Sequence, residues 1–373
     1  MNEKKVCPYC GRQVNSDARF CTYCGHQLRP ANDALRQGTE KMSDMIGESI
    51  GVSGKSYFNI KDLFTEVFKK HGVDDEDEIF IAGTSSTTPD LKDVITNWPK
   101  PWAYSRVFLV LFLTTALLYI MVNNFNNSNM LPGFIFMAAL TMPFTVLIFF
   151  WEANAPRNIS FFMVLRVFLI GGAMALLSAL ILYMFDHSRS ETTLAYALII
   201  GLIEEVAKLI VSAAFIHRRK YPFILNGLLI GAAVGAGFAV FETSGYIFNY
   251  FLYYLSKANS YGYSASLQYA VSQSLSVAVL RGWTSLGGHV VWSAMTCAGF
   301  VAAMGETKSL SDAAFHKRTL TFLLLAIILH ALWDFNIEFL GAVKYILLIV
   351  VAWFIILNLI SAGLRQIQQL THK

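Results

Sequence analysis

Long apolar runs dominate the chain from about residue 104 onwards, and their length is the first guide to its fold. The hydrocarbon core of a bilayer is about 30 Å thick, so a helix needs roughly 20 apolar residues to cross it. Eight runs approach that length. We therefore predict an all-α polytopic membrane protein, with spans at 104–122, 131–151, 161–185, 194–216, 223–246, 281–304, 319–339 and 342–363.

Basic residues fall on alternate sides of these predicted spans. Loops on one side carry Arg157, then Arg218 to Lys220, then Lys317 and Arg318, whereas the opposite loops hold almost no cations. Because cytoplasmic loops are enriched in Lys and Arg, the pattern predicts a multi-pass protein of the cell membrane with both termini in the cytoplasm.

The composition agrees with this prediction and excludes some functions. Hydrophobic residues make up 55% of the chain and charged residues only 14%, where soluble domains carry about 25% charged residues. The net charge of +4 is small and spread over loops, so no nucleic-acid partner is expected. Residues 1–10 are polar, and no cleavable signal peptide is expected there.

Two CxxC pairs stand near the N-terminus, and each is followed by a glycine. Two such turns can present four thiolates tetrahedrally, as a structural zinc ion requires. Disulfides are the weaker alternative, because the cytosol is reducing. We predict a zinc ribbon over residues 1–28 that folds on its metal and is structural or binds a cytosolic protein partner. Its zinc ligands would be Cys7, Cys10, Cys21 and Cys24.

Residues 29–103 are predicted to form a cytosolic linker or small domain, ahead of the membrane domain at 104–373. Apolar residues recur there at helical spacing, with charged residues on the other face. This amphipathic helix would lie on the membrane surface, on a partner, or on its own small domain. Its apolar positions are Ile60, Leu63, Phe64, Val67 and Phe68.

Ionisable residues inside four of the predicted spans are the strongest functional signal. Placing Asp, Lys or Arg at the centre of a membrane helix costs about 2.5–3.5 kcal/mol on insertion scales. A rise of about 1.5 Å per residue brings these groups to similar depth, in the outer half of the bilayer. One shared site is therefore predicted, made of Glu204, Glu205, Lys208, Glu242, His289, His330 and Asp334.

Such a set of side chains can activate water. A buried carboxylate can take a proton from water, and imidazoles with carboxylates can hold a zinc ion. Neither HExxH nor GxSxG occurs, so a metal site would have to be assembled from several helices. Taken singly, Glu204 and Lys208 could be a structural ion pair, each histidine a satisfied core residue, and Arg281 a side chain reaching the surface.

Four motifs in this order resemble the PrsW family of intramembrane proteases, which is related to the CAAX-prenyl protease and bacteriocin-processing superfamily. They are EEVAK at 204–208, FAVFE at 238–242, HVVWS at 289–293 and HALWD at 330–334. The resemblance implies hydrolysis of a single-span membrane protein, such as an anti-sigma factor, near the outer membrane face. Two positions depart from the pattern: Thr243 and Asp334 stand where asparagine is expected.

By this resemblance Glu204 or Glu205 is the general base, and Lys208 tunes the glutamate pair. His289, His330 and Glu242 would bind a catalytic metal or the scissile carbonyl. Because an ionised aspartate cannot donate a hydrogen bond, Asp334 would instead orient His330 or bind the metal.

Two rival functions remain at this point. An ion-coupled transporter or sensor would also bury carboxylates and histidines, although the inverted repeats and broken helices usual in transporters are not evident in the sequence. A catalytically inactive scaffold of the same fold is the other.

Overall fold

Helices make up about three quarters of the part of the chain that the computed structural model describes. That part comprises residues 4–6, 12–15, 21, 33–56, 58–84, 86–186, 193–219, 221–258, 263–307 and 309–372. The N-terminal helices are α1 (Asp33–Ile50), α2 (Asp62–Thr65) and α3 (Val73–Phe80). The membrane domain follows with α4 (Ala103–Asn123), α5 (Leu131–Ala153), α6 (Phe161–Arg166), α7 (Gly172–Tyr183), α8 (Leu194–Arg219), α9 (Ile224–Lys257), α10 (Tyr263–Thr284), α11 (His289–Met304), α12 (Leu310–Ala314), α13 (Lys317–Asp334) and α14 (Val343–Thr371).

An antiparallel hairpin lies at the start of the chain. Strands β1 (Lys4–Val6) and β2 (Gln13–Asn15) pair with Val6 opposite Gln13. Cys21 is buried. The other three predicted zinc ligands, Cys7, Cys10 and Cys24, lie outside the described residues.

Six helical stretches of the described chain are long and apolar enough to cross a membrane. The predicted all-α membrane fold is confirmed, whereas the count of eight spans stays a prediction. Helices α8 and α13 are absent from the six because each is rich in ionisable residues. The six stretches are Ala103–Asn123, Ser128–Ala153, Phe161–Tyr183, Ile224–Lys257, Ser266–Met304 and Val343–Thr371.

The predicted sixth span, residues 281–304, is not one continuous α-helix. Helix α10 occupies residues predicted to be partly loop, and the chain then leaves the α-helix at 285–288 before α11 begins at His289. Glycines at the break explain its position. A Cβ on Gly287 would approach Ile349 Cα of α14 to 2.9 Å, so only glycine lets the two elements come this close.

The predicted amphipathic helix is also shorter than expected. Only Asp62–Thr65 is α-helical, and residues 66–68 continue as turns. Its apolar positions do not share one environment, since Leu63 is buried whereas Phe64 and Phe68 are exposed.

Residues 33–102 cover one end of the helix bundle, which we call the N-terminal face. Arg365 in α14 donates to the Lys55 carbonyl at 2.9 Å, and Arg157 after α5 donates to the Glu78 carbonyl at 3.0 Å. Helix α14 ends there as well, since Gln369 near its end donates to the Ser53 carbonyl at 3.2 Å. Arg157 and Arg318, two of the loop arginines of the charge pattern, both lie against residues of this face.

Glycines on α9 bring α11 into close contact. A Cβ on Gly227, Gly231 or Gly235 would collide with the backbone carbonyl oxygen of Cys297, Ser293 or His289, respectively. Small residues at such an interface let helix backbones approach closely in membranes. This packing fixes the start of α11, and therefore His289, against the middle of α9.

We expect Gly231→Val to lower the midpoint of thermal unfolding in detergent, because overpacking a close interface typically costs about 1–3 kcal/mol. Gly245→Ala is the matched control: it lies on the same helix with open space around its Cα. An unfolding midpoint in Gly231→Val equal to that of the wild type would contradict the close α9–α11 contact.

Candidate active site

Four helices bring the seven predicted site residues together. Glu204 and Glu205 lie on α8, Glu242 on α9, His289 begins α11, and His330 lies one turn before the end of α13. Helices α8 and α13 meet at Gly201, where a Cβ would lie 3.4 Å from the His330 Cβ. The glycine therefore lets His330 reach the α8 carboxylates.

A buried ion pair forms the centre of the site. Lys208 Nζ donates to Glu205 Oε1 at 2.7 Å, and their side chains are 1% and 0% exposed. His330 Nδ1 donates to the same Glu205 oxygen at 2.9 Å. Because buried charges persist only when paired and hydrogen-bonded, these three side chains stabilise one another.

His289 connects this centre to a second ion pair. Its Nδ1 accepts from Lys208 Nζ at 2.8 Å, and its Nε2 donates to Glu242 Oε2 at 3.1 Å. The same Glu242 oxygen accepts from Arg281 Nη2 at 2.9 Å. Arg281 therefore does not merely reach the surface; it belongs to the site through Glu242 and also contacts Thr243 Oγ1 at 3.3 Å.

Glu204 points towards both histidines. Its Oε2 lies 3.7 Å from His330 Nε2 and 3.9 Å from His289 Nδ1, and no described residue donates a hydrogen bond to it. Its other oxygen accepts from Tyr183 OH at 2.9 Å. A buried carboxylate oxygen facing two imidazole nitrogens is an arrangement that can hold a cation.

Glu204, His289 and His330 fit a zinc ion. One ligand atom from each lies within 4.8 Å of the others, and tetrahedral zinc would draw such atoms to about 3.4 Å apart. The outward nitrogens of both histidines donate to carboxylates, as is usual for imidazoles that bind metal. Lys208 Nζ donates to His289 Nδ1 at 2.8 Å in this structure, so a zinc ion bound there would replace that hydrogen bond.

The set differs from the predicted one in one residue. Glu242, predicted as a ligand with the two histidines, instead accepts a hydrogen bond from His289 Nε2, the nitrogen that faces away from Glu204. The carboxylate whose oxygen converges with the two histidines is that of Glu204. Asp334 is nearby, with Oδ2 3.3 Å from His330 Nε2.

Exposure rises steadily across the site and identifies its open side. The His330 and Glu204 side chains are 3% and 8% exposed, whereas Arg281 and Asp334 reach 31% and 36%. A substrate would therefore approach past Arg281 and Asp334 rather than from the Lys208 side.

Two further residues of the site were not predicted. Tyr183 ends α7 and, read in sequence, is one more aromatic residue near a membrane boundary; its place near the end of a span was the only signal. Trp292 stacks on the His330 ring with centroids 4.6 Å apart. Its position three residues after His289 puts it on the same face of α11, which could have indicated its role.

Two family profiles match the chain. The profile of the PrsW family intramembrane metalloprotease matches residues 160–360, more than half of the chain and all seven predicted site residues. The profile of the zinc-ribbon domain matches residues 6–28. No curated protein and no solved structure matches the chain.

We expect the purified chain to keep zinc after Cys7, Cys10, Cys21 and Cys24 are all replaced by serine. In that background Glu204→Gln or His330→Ala should release the metal, because each removes one of three converging ligands, whereas Asp334→Asn should retain it. The measurement is elemental analysis by mass spectrometry after gel filtration in detergent.

His217→Ala is the control, since His217 is exposed at the end of α8. A folded ribbon-deficient protein without zinc would contradict a metal centre formed by Glu204, His289 and His330.

Proposed function

The chain belongs to the PrsW family of intramembrane metalloproteases and carries an N-terminal zinc-ribbon domain. We propose that it hydrolyses a peptide bond of a single-span membrane protein near the outer membrane face. The observation that carries this proposal is the free Glu204 oxygen facing the nitrogens of His289 and His330. A carboxylate oxygen and two imidazole nitrogens that face one another, in a site exposed on one side, can activate water.

Glu204, His289 and His330 would hold the metal. When bound, zinc would polarise the scissile carbonyl and favour ionisation of a neighbouring water. Glu205, predicted with Glu204 as a candidate general base, orients His330 in this proposal, because Lys208 and His330 already engage it and its side chain is fully buried. Glu242 orients His289 in the same way.

Asp334 accepts the proton of the attacking water. It is the most exposed carboxylate of the site and lies beside His330 Nε2 on the open side. From there it can later deliver the proton to the leaving amine. A metal-independent reaction would instead give this role to Glu204, whose Oε2 is free.

The depth of the site supports cleavage near the outer face. Counted from the N-terminal face along α11 and α13, His289 and His330 lie about 22 Å and about 20 Å along their helices. In a hydrocarbon core about 30 Å thick, both fall in the far half. The arginines at the N-terminal face support a cytoplasmic location for that face, which would make the far half the outer half.

One observation favours a second candidate, an ion-coupled transporter. The α10–α11 segment is a broken helix, which the sequence did not indicate, and such breaks form ion sites in transporters. Proton-dependent uptake by vesicles containing the purified protein, unaffected by Asp334→Asn, would support it.

New N-termini in membrane proteins should appear in cells that produce the wild type and not in cells that produce Glu204→Gln or Asp334→Asn. Loss of a proton-transfer group typically costs about 10²–10⁴-fold in rate. N-terminal peptide mass spectrometry of isolated membranes measures this, with matched protein levels checked by immunoblot.

Glu338→Gln is the control, since this exposed carboxylate follows α13 outside the site. Identical N-termini in cells producing the wild type and in cells producing Glu204→Gln would contradict the proposed protease activity.

Tyr183→Phe should lower the rate without abolishing it. A hydrogen bond to a charged group is worth about 1.5–3 kcal/mol, which corresponds to about tenfold to a hundredfold. The rate of appearance of the same N-termini and the zinc content should both fall, because the phenol holds the Glu204 carboxylate in place. Tyr250→Phe, an exposed tyrosine on α9, is the matched control; an equal fall there would contradict a specific role for Tyr183.

A further inference from the structure

Residues 59–70 form a short segment beside the N-terminal face, which we call the interfacial segment. Its apolar positions divide into two sets. Leu63 is buried and Val67 half-buried against the protein. Ile60, Phe64 and Phe68 point away and are 56%, 50% and 89% exposed. We call these three exposed side chains, which lie four residues apart in the sequence, the outward stripe.

The interfacial segment is attached to the first turn of α4. Tyr104 OH donates to the Leu63 carbonyl at 3.0 Å, and Arg106 Nη2 donates to the Lys69 carbonyl at 3.1 Å. Just after the segment, His71 stacks on Trp102 with ring centroids 3.7 Å apart. These contacts hold the segment level with the end of a membrane-crossing helix, where headgroups meet acyl chains.

Helix α4 lies at the edge of the bundle. Only 6% of its apolar stretch is buried, and Leu109, Val110 and Leu113 are about half exposed or more. Lipid must cover this surface in a membrane. The outward stripe of the interfacial segment lies beside the same helix, so the lipid-covered surface continues onto it.

Cations flank the stripe. Lys61, Lys69 and Lys70 are exposed, and Arg106 lies next to them. Lys69 donates to Glu66 at 2.8 Å, which holds the pKa of that carboxyl below its ordinary value. Apolar side chains bordered by lysines are the composition of helices that lie in the membrane interface and bind anionic lipids.

We propose that the interfacial segment is inserted at the headgroup level of the bilayer and binds anionic lipid, with Phe68 as its deepest anchor. The apolar side chains enter the acyl boundary, and the lysines contact lipid phosphates. This anchor is separate from the proposed active site, and it would hold residues 33–102 on the membrane whether or not the protein cleaves a substrate.

The test places the fluorescent residue acridonylalanine at position 68 of the full chain, reconstituted in phosphatidylcholine vesicles with or without phosphatidylglycerol. Lipids with a nitroxide near the headgroup should quench its emission strongly, and more so with phosphatidylglycerol present. Soluble iodide should quench it weakly. Acridonylalanine at Met45, exposed on α1, and at Leu113, exposed on α4, provide the aqueous and the membrane references.

The lysines are tested in the same labelled protein. Phosphatidylglycerol should no longer increase the nitroxide quenching at position 68 when Lys61→Gln, Lys69→Gln and Lys70→Gln are combined. The increase should remain in the control that combines Lys41→Gln, Lys55→Gln and Lys92→Gln. Iodide quenching at position 68 equal to that at position 45, with no effect of lipid nitroxides, would overturn the proposal and indicate a surface left for a protein partner.

Discussion

The ion pair between Lys208 and Glu205 is the interaction on which the rest of the membrane domain depends. Both side chains are almost fully buried, and each also contacts a histidine from another helix. One pair on α8 therefore ties α11 and α13 to it. Removing one partner of a buried pair typically costs about 3–5 kcal/mol, because the other charge is left without compensation. The site and the packing of its helices are thus stabilised by the same contacts.

Glycines make these short polar contacts geometrically possible. Gly201 brings α13 onto α8 at His330, and Gly235 brings the start of α11 onto α9 at His289. Wider spacing of the helices would leave the histidines beyond hydrogen-bonding distance of Glu205 and Glu242. In lipid, where helix association gains little from apolar burial, close packing and interhelical hydrogen bonds supply the attraction. The glycines and the ionisable residues therefore act together.

The sequence was sufficient to predict the membrane fold and the seven residues that converge, because burying a charge in lipid is too costly to occur without a partner. It was not sufficient for the details that depend on packing. Helix α10 was not predicted over its full length, because the serines and glutamines spread through it interrupt the apolar run. Spacing along a helix could not decide between Glu204 and Glu242 as the third converging group, since only the tertiary contact places Glu242 behind His289. Tyr183 lies on a different helix from every motif, so no pattern connected it to Glu204.

The break between α10 and α11 explains how a buried site can still open to one side. A membrane helix can be interrupted only where its freed backbone groups are covered, and here Trp353 of α14 donates to the Leu286 carbonyl at 2.8 Å. The break leaves His289 at the start of a helix, held by Lys208 and Glu242, while Arg281 remains on α10 at the exposed rim. A continuous helix would fix Arg281 and His289 in one rigid register. With the break, Arg281 and His289 approach Glu242 Oε2 from two separate elements, so the exposed rim and the buried centre of the site are joined at one carboxylate.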